Sequence, residues 1–351
     1  MLNGFIVACN QMSKKIPTLI DVAKKCNLSI ATVSRALSGT GYVSEKSKAR
    51  IQLEAKKLGY IVNSKAKGLR KGASRTLGLI VEDITVLDFA IFVDSVCRTA
   101  SKNGYKVIVC AANEDEHLES DAISLLISSR VDGIIAIPTS RNIALWKRAL
   151  EHKIRLQFVD RSVLELKNVP VVMSDHKSAG LEVANYFIEM KCKNVLYLLP
   201  NLVHSGQLLK DGVLEAYKKA SLKIGSDQIV ILSEHRMPET NSIYKELMNQ
   251  KIDGVFYGSY TIANAMLRES LKNGGMTMKN IRGVAYTDRR WIGGVSQGIS
   301  ILDNDFEKLG RLSVMNVLRD LAEGRQISSR SPSSVKKVRP TFHRKDSSHQ
   351  S

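Results

Sequence analysis

The stretch that decides the reading is Thr18–Leu58, TLIDVAKKCNLSIATVSRALSGTGYVSEKSKARIQLEAKKL. Thr18 followed three residues later by Asp21 makes a short-armed capping box, which should open a helix over Leu19–Cys26 with Val22 and Ala23 on its inner side. Asn27 and Leu28 form the turn, since Asn tolerates the left-handed conformation. Ser29 then caps a second short helix, Ile30–Leu37, which Ser38 and Gly39 end. Ser44 caps a third, Glu45–Leu58, with Ile51, Ala55 and Leu58 as its inner stripe. Three helices with a tight turn between the first two are a helix-turn-helix head, and the second helix is sized for a major groove.

On that second helix Val33 and Leu37 are four apart and should face inward, which leaves Ile30, Ala31, Ser34 and Arg35 towards the exposed side. Arg35 offers the planar fork that reads guanine O6 and N7, and Ile30 and Ala31 can pack on a thymine methyl. Thr18, Thr32, Ser34 and Ser44 suit phosphate contacts, with Ser29 at a helix N-terminus.

The charge distribution agrees. The chain has 351 residues and a formal net charge of +18. Residues 1–75 hold 15 Lys and Arg against three acids, residues 325–351 hold seven against one, and the long middle is neutral. A basic head on a neutral body is expected of a domain that faces a polyanion. The basic tail, 331–351, is rich in Ser without an apolar period and reads as a solvated extension. At the other end, residues 1–16 read as a disordered or mis-assigned extension, with Met12 as the expected start of translation. The opening MLNGFIVACNQ lacks the charge and length of a secretory signal.

Between head and body, Asn63–Gly72 (NSKAKGLRKG) surrounds Ala66 and Leu69 with charge. It is too short and basic to be a stable helix alone. Two readings are open: a hinge over 62–75 that becomes helical on DNA, with Leu69 wedged into the minor groove, or a plain flexible linker.

From Thr76 onward β-rich runs alternate with helix-length segments: TLGLIVED, YKVIVCAA, DGIIAIP and IRLQFVD, then PVVMSD, which crosses into a second set with NVLYLLP, QIVIL, DGVFYGS and IRGVAYTD. The runs are nearly continuous in apolar residues, which fits parallel strands covered on both faces. Two successive αβ sets predict a two-lobed α/β body over 76–330, with a cleft beyond the carboxyl ends of the strands. Asp83, Asp160, Arg161, Asp175, His176, His204, Ser259, Tyr260, Thr287 and Asp288 sit at those ends and are the candidate lining. They form no catalytic constellation, and no GxSxG, HExxH, Walker or GxGxxG sequence is present. The five cysteines are odd in number and scattered, which predicts reduced, mostly buried thiols. The expectation is a regulator rather than an enzyme, with no metal or cofactor, no membrane span, and a place in the cytoplasm at the nucleoid. The alternatives are a sugar-modifying enzyme, for which no acid/base pair is found, and a soluble ligand-binding protein whose DNA binding is secondary or lost.

Over about residues 17–348 the chain resembles the lactose-repressor/galactose-repressor family. The resemblance rests on Thr18–Ile51, Lys56–Gly72, RTLGLIVEDIT from Arg75, RVDGIIAIP from Arg130, FVDRS from Phe158 and RPTFHRKDSS from Arg339. It implies a body like periplasmic sugar-binding proteins and a homodimer, or a tetramer, on a near-palindromic operator. An effector would act on the spacing of paired hinge helices. It also implies that Ile30, Ala31 and Arg35 read bases and that the operator has a central CG step. Tyr42, Ser44 and Asn63 would support the backbone, and Leu69 would intercalate. Pocket positions depart from the family pattern. Val86-Leu87-Asp88-Phe89 replaces Asn-Pro-Phe-Phe, Leu209 stands where an arginine clamps sugar hydroxyls, and Ser259-Tyr260 replaces Asn-Asp. Thr287 replaces the first acid before Asp288, and Asp175-His176 replaces Asp-Asn. Each lost anchor removes about 1.5–3 kcal/mol of charge-assisted bonding, so a sugar in the usual pose is disfavoured. A sugar derivative, a less hydroxylated effector, a protein co-regulator and no effector at all stay open.

Overall fold

The computed structural model describes residues 17–39, 41–60, 73–200, 205–232, 240–249, 252–273, 281–291, 298–324 and 335–344. The expectations for Asn63, Ala66, Leu69, His204, Cys9 and residues 1–16 lie outside them. The chain divides into two units, 1–74 and 75–351.

The first unit is the three-helix head: α1 (Leu19–Cys26), α2 (Ile30–Ser38) and α3 (Glu45–Leu58). The capping box at Thr18 forms with both of its bonds, and Asn27 closes α1 in the left-handed conformation at φ 52°. Ser29 and Ser44 accept from Thr32 N and Ser47 N. One core gathers Val22, Ala23 and Cys26 with Val33, Ala36, Ile51 and Ala55. Ala36 rather than Leu37 is the second fully buried residue of α2; Leu37 and Leu58 only flank the core.

The second unit holds two six-stranded sheets. Its elements are β1 (Thr76–Val81), α4 (Leu87–Lys102), β2 (Lys106–Ala111), α5 (Glu116–Ser128), β3 (Gly133–Ala136), α6 (Ile143–Glu151), β4 (Arg155–Val159) and β5 (Val171–Ser174). Then come α7 (His176–Glu189), β6 (Val195–Pro200), α8 (Ser205–Lys219), β7 (Ile229–Leu232), α9 (Thr240–Asn249), β8 (Gly254–Tyr257), α10 (Tyr260–Lys272) and β9 (Arg282–Tyr286). The chain closes with β10 (Ser300–Asp303), α11 (Phe306–Ala322), β11 (Val335–Val338) and β12 (Thr341–His343). The sheet orders are β11-β5-β4-β3-β1-β2 and β12-β10-β9-β8-β6-β7, every pairing parallel except β10 with β12. Each sheet is covered on both faces, which explains the unbroken apolar runs.

β5 belongs to the first sheet, and the chain passes to the second lobe only after it. It crosses back between β10 and α11, because Phe306, Leu309, Val314 and Val317 pack on the first sheet with Phe92. A third crossing runs from β11 in the first sheet to β12 in the second. The reading of 331–351 as a solvated tail is therefore corrected: residues 335–343 complete an edge of both sheets. Val335, Lys336 and Lys337 are exposed and only Val338 is buried, so this edge strand carries almost no apolar signal.

Gly180 and Gly212 set the packing of α7 on α8. A Cβ on Gly180 would lie 2.0 Å from Leu209 O, and one on Gly212 2.1 Å from Lys177 O, so the two backbones touch. The four described cysteines are unpaired; Cys26 is buried, whereas Cys97, Cys110 and Cys192 are only partly covered, less than the sequence suggested.

Candidate DNA interface and ligand cleft

On the head, Ile30, Ala31 and Arg35 project from one side of α2, and Ile30 is 48% exposed. Thr32 and Ser34 are half-buried beside them. The Arg35 stem lies against Gly41, where an added Cβ would sit 3.5 Å from its Cδ. That contact supports the chain without using the guanidinium. Tyr42, 94% exposed, stands beside it in sequence. Thr18, Ser29 and Ser44 are exposed at the N-termini of the three helices. Their hydroxyls are held locally: Thr18 Oγ1 donates to Asp21 at 2.6 Å, Ser29 Oγ meets Thr32 Oγ1 at 2.8 Å, and Ser44 Oγ donates to Ser47 Oγ at 2.9 Å. The result is a basic unit with an apolar-plus-arginine edge on one short helix and three helix N-termini suited to phosphate oxygens.

In the body, a cavity of about 170 Å³ opens where strand ends of both sheets meet. Of the predicted residues, Asp160, Arg161, His176, Leu209, Ser259 and Tyr260 line it. Asp83, Asp175, Thr287 and Asp288 do not. Asp83 folds an Asx turn by accepting from Thr85 N and Oγ1. Asp175 caps α7 through Ser178. Asp288 takes a bidentate fork from Arg290, with both N···O distances 2.7 Å. Thr287 Oγ1 donates to Asp88 at 2.7 Å.

Glu82, Asp88, Glu114, Tyr286 and Asn304 also line the cavity; of these only Asp88 stands among the sequence's candidates, as a departure from the family pattern. Glu82 lies next to Asp83, just past the end of β1, so the sequence offered both as strand-end candidates without choosing between them. Glu114 follows β2, which makes it as much a strand-end residue as those named.

Two bonded chains run across the cleft. Arg161 pairs through Nη2 with both Glu82 and Glu114. Burial pushes the Glu82 carboxyl up to about 8 against the pull of Arg161, and Glu114 adds to the rise. Asp160 binds His176 Nε2 at 2.8 Å, and His176 Nδ1 meets Tyr286 OH at 3.1 Å. Burial opposes the charge on Asp160, but His176 and Arg161 hold its pKa below the usual value. Asp88, on the first turn of α4, accepts from Thr287 Oγ1, Asp288 N and Asn304 Nδ2, which come from the far lobe and a crossing segment. Burial raises its pKa to about 6 against those three donors. Phe89, Tyr260 and Phe306 supply aromatic walls, and Leu209 is fully buried there, supplying surface rather than a donor.

Among the described residues no group of three or more His, Cys, Asp or Glu is placed to hold a metal ion, and no helix is long and apolar enough to cross a membrane.

The family model for bacterial regulatory proteins of the lacI family matches residues 18–63, and that for periplasmic binding proteins and the sugar-binding domain of the lacI family matches 74–288. The ribose operon repressor of Bacillus subtilis (strain 168) is 28% identical over 274 residues, covering 77% of this chain and 81% of its own. Among solved structures, the lac repressor bound to ONPG superposes with a TM-score of 0.75 at 18% identity, covering 93% of this chain and 98% of that one. A CelR–cellobiose complex gives 0.66 at 19% identity, covering 94% and 99%. With its head matched by one model and most of its body by the other, this chain belongs to the lacI family of bacterial regulatory proteins: it is a sequence-specific DNA-binding transcriptional regulator, not an enzyme.

Proposed function

We propose that this chain is a repressor that binds a pseudo-palindromic operator as a homodimer and is controlled by a small molecule held in the cleft. The observation that carries the reading is the exposed Ile30–Ala31–Arg35 edge on a short helix of a basic head. Arg35 reads a guanine in each half-site, Ile30 and Ala31 pack on neighbouring base edges, and Thr18, Ser29, Thr32, Ser34, Tyr42 and Ser44 hold phosphates. Asn63, Ala66 and Leu69 serve the hinge, with Leu69 as the minor-groove wedge. Repression is supported by the relatives named as ribose and sucrose operon repressors.

The cleft acts by differential affinity for two lobe arrangements, since a ligand can shift an equilibrium only by binding one state better. Cross-lobe bonds to Asp88 supply a structure whose two arrangements a ligand can distinguish. Asp160, Arg161, His176, Leu209 and Ser259 contact the effector, while Asp83, Asp175, Thr287 and Asp288 shape its surroundings. A sugar derivative fits best, because one relative of this fold is a cellobiose complex and the lining keeps polar anchors.

The test is selection of genomic fragments by the full-length protein at fixed salt, followed by sedimentation of the complex. Enriched palindromes bound two chains to one site support the reading. Binding without sequence preference, or by a single chain, overturns it.

A further inference from the structure

The cleft is rich in acid. Among the described residues four acidic side chains line it, Glu82, Asp88, Glu114 and Asp160, against one arginine and no lysine. Arg161 is already divided between Glu82 and Glu114, Asp160 is engaged with His176, and Asp88 with Thr287, Asp288 N and Asn304. Helices opening onto this region bring caps of their own: Asp175 on α7, Ser259 on α10 and Asp305 on α11. Their N-terminal partial charges are thus largely answered already.

An independent feature points the same way. Asn304 lines the cavity and is 3% exposed; its Nδ2 donates to Asp88, and its Oδ1 is buried with no donor. The amide orientation follows from Asp88, whose ionised carboxylate only accepts. A buried acceptor without a donor costs about 1–3 kcal/mol unless a ligand supplies one. Phe89, Tyr260 and Phe306 complete walls on which a cation is favoured.

We propose that the effector is a small protonated amine, with its ammonium taken by the Glu82–Glu114–Asp160 side of the cleft and a donor reaching Asn304 Oδ1. An ammonium brings three donors and no acceptor, which is what this lining is short of. A neutral hydroxylated ligand can donate O–H groups to these acids but brings no charge to balance them, and an anion would meet like charge. The cavity, about 170 Å³, is near the volume that holds a single benzene ring, so the frame is compact. An amino sugar or a short aliphatic amine shares this chemistry.

The raised pKa of Glu82 fits the assignment, because without a ligand a proton neutralises the buried acid. The titratable groups around it are Asp88 on α4, Glu114 after β2, Asp160 and Arg161 after β4, His176 on α7 and Tyr286 on β9. Displacing that proton makes amine binding tighten as pH rises, by up to about tenfold per unit below pH 8.

This assignment rests on the cleft being the effector site, and the experiment separates the two. Full-length protein is dialysed at about 1 mM ligand against matched sets: glucosamine, glucose and glucose 6-phosphate; putrescine, 1,4-butanediol and succinate. Retained compounds are weighed by mass spectrometry, and operator affinity is followed in parallel by fluorescence anisotropy. The expected result is retention of an amine at least about tenfold above its counterparts, tighter at pH 8 than at pH 6 and weakened in Glu82→Gln. Glu114→Gln tests the same charge from a loop should Glu82→Gln fail to fold. The winning set tells an amino sugar from an aliphatic amine. Preference for a neutral or acidic member, retention of nothing, or an amine held equally by both variants overturns the assignment. An amine that binds the cleft but leaves operator affinity unchanged upholds the charge assignment and defeats effector control. A neutral sugar that changes operator affinity does the reverse.

Discussion

The head and the cleft are built on opposite plans. In the head the side-chain hydrogen bonds are local: Thr18 to Asp21, Ser29 to Thr32 and Ser44 to Ser47, each three residues apart and exposed. In the cleft Asp88 binds Thr287 and Asn304, 199 and 216 residues away, and His176 binds Tyr286 at a separation of 110, all buried. A local plan lets a small unit present a fixed surface to an outside polymer. A non-local plan makes the state of one pocket depend on how two lobes are set, as a control site requires.

The contrast can be broken most sharply from the head's core. Ile51 is fully buried in a seven-residue cluster, and Ile51→Ala should cost about 2–5 kcal/mol. A unit of this size has little stability to spare. Operator binding should disappear while the body's melting transition stays put; a shifted body transition in calorimetry would show that the units are not independent.

Asp88→Ala probes the other side. It leaves Thr287 Oγ1, Asp288 N and Asn304 Nδ2 without an acceptor, and relief of the buried charge offsets only part of that loss. The body should lose about 3 kcal/mol, or about 5–10 °C in Tm, with head helicity retained. A smaller effect on the body than on the head would contradict the division drawn above.

Arg35→Ala should weaken specific binding about 10–100-fold and flatten preference at one base pair of each half-site, with folding intact. An affinity scan across operator variants reads this directly, and unchanged preference would remove Arg35 as a base reader.

A separate effect concerns pH. Glu82 titrates near 8 in the folded protein and near the ordinary glutamate value, about 4.3, when unfolded. Between those values the folded state holds a proton that the unfolded chain has released, so stability falls as pH rises through the window. Glu82→Gln should melt with wild type below pH ~4 and about 10 °C above it near pH 8. Equal Tm values across the whole range would show that folding leaves the Glu82 carboxyl at its unfolded-state pKa.

Legibility in the sequence follows the same divide. The capping box, the left-handed Asn27 and the bounds of α1 and α3 were readable because each depends on residues within one turn. The parallel strands were readable because burial on both faces leaves continuous apolar runs. Choosing Glu82 over Asp83 needs the position of Arg161 past the end of β4, about eighty residues later, which no local signal near β1 gives. The strand Val335–Val338 stayed hidden because an edge exposes its lysines and buries a single valine.

The three passages between the lobes are each one or two residues long: Asp175, Asn304–Asp305 and Arg339–Pro340. They are tied together, with Ser174 Oγ donating to Asn304 O at 3.0 Å and Asp175 N donating to Val338 O at 2.8 Å. Three short tethers bound side by side behave like the leaves of a door hinge. Tethers so arranged favour swing about one axis over sliding or unscrewing, which would give the proposed effector control a single coordinate to act on. The last tether comes from the chain's final thirty residues, and the protein's mechanical precision is thus completed by its least conspicuous segment.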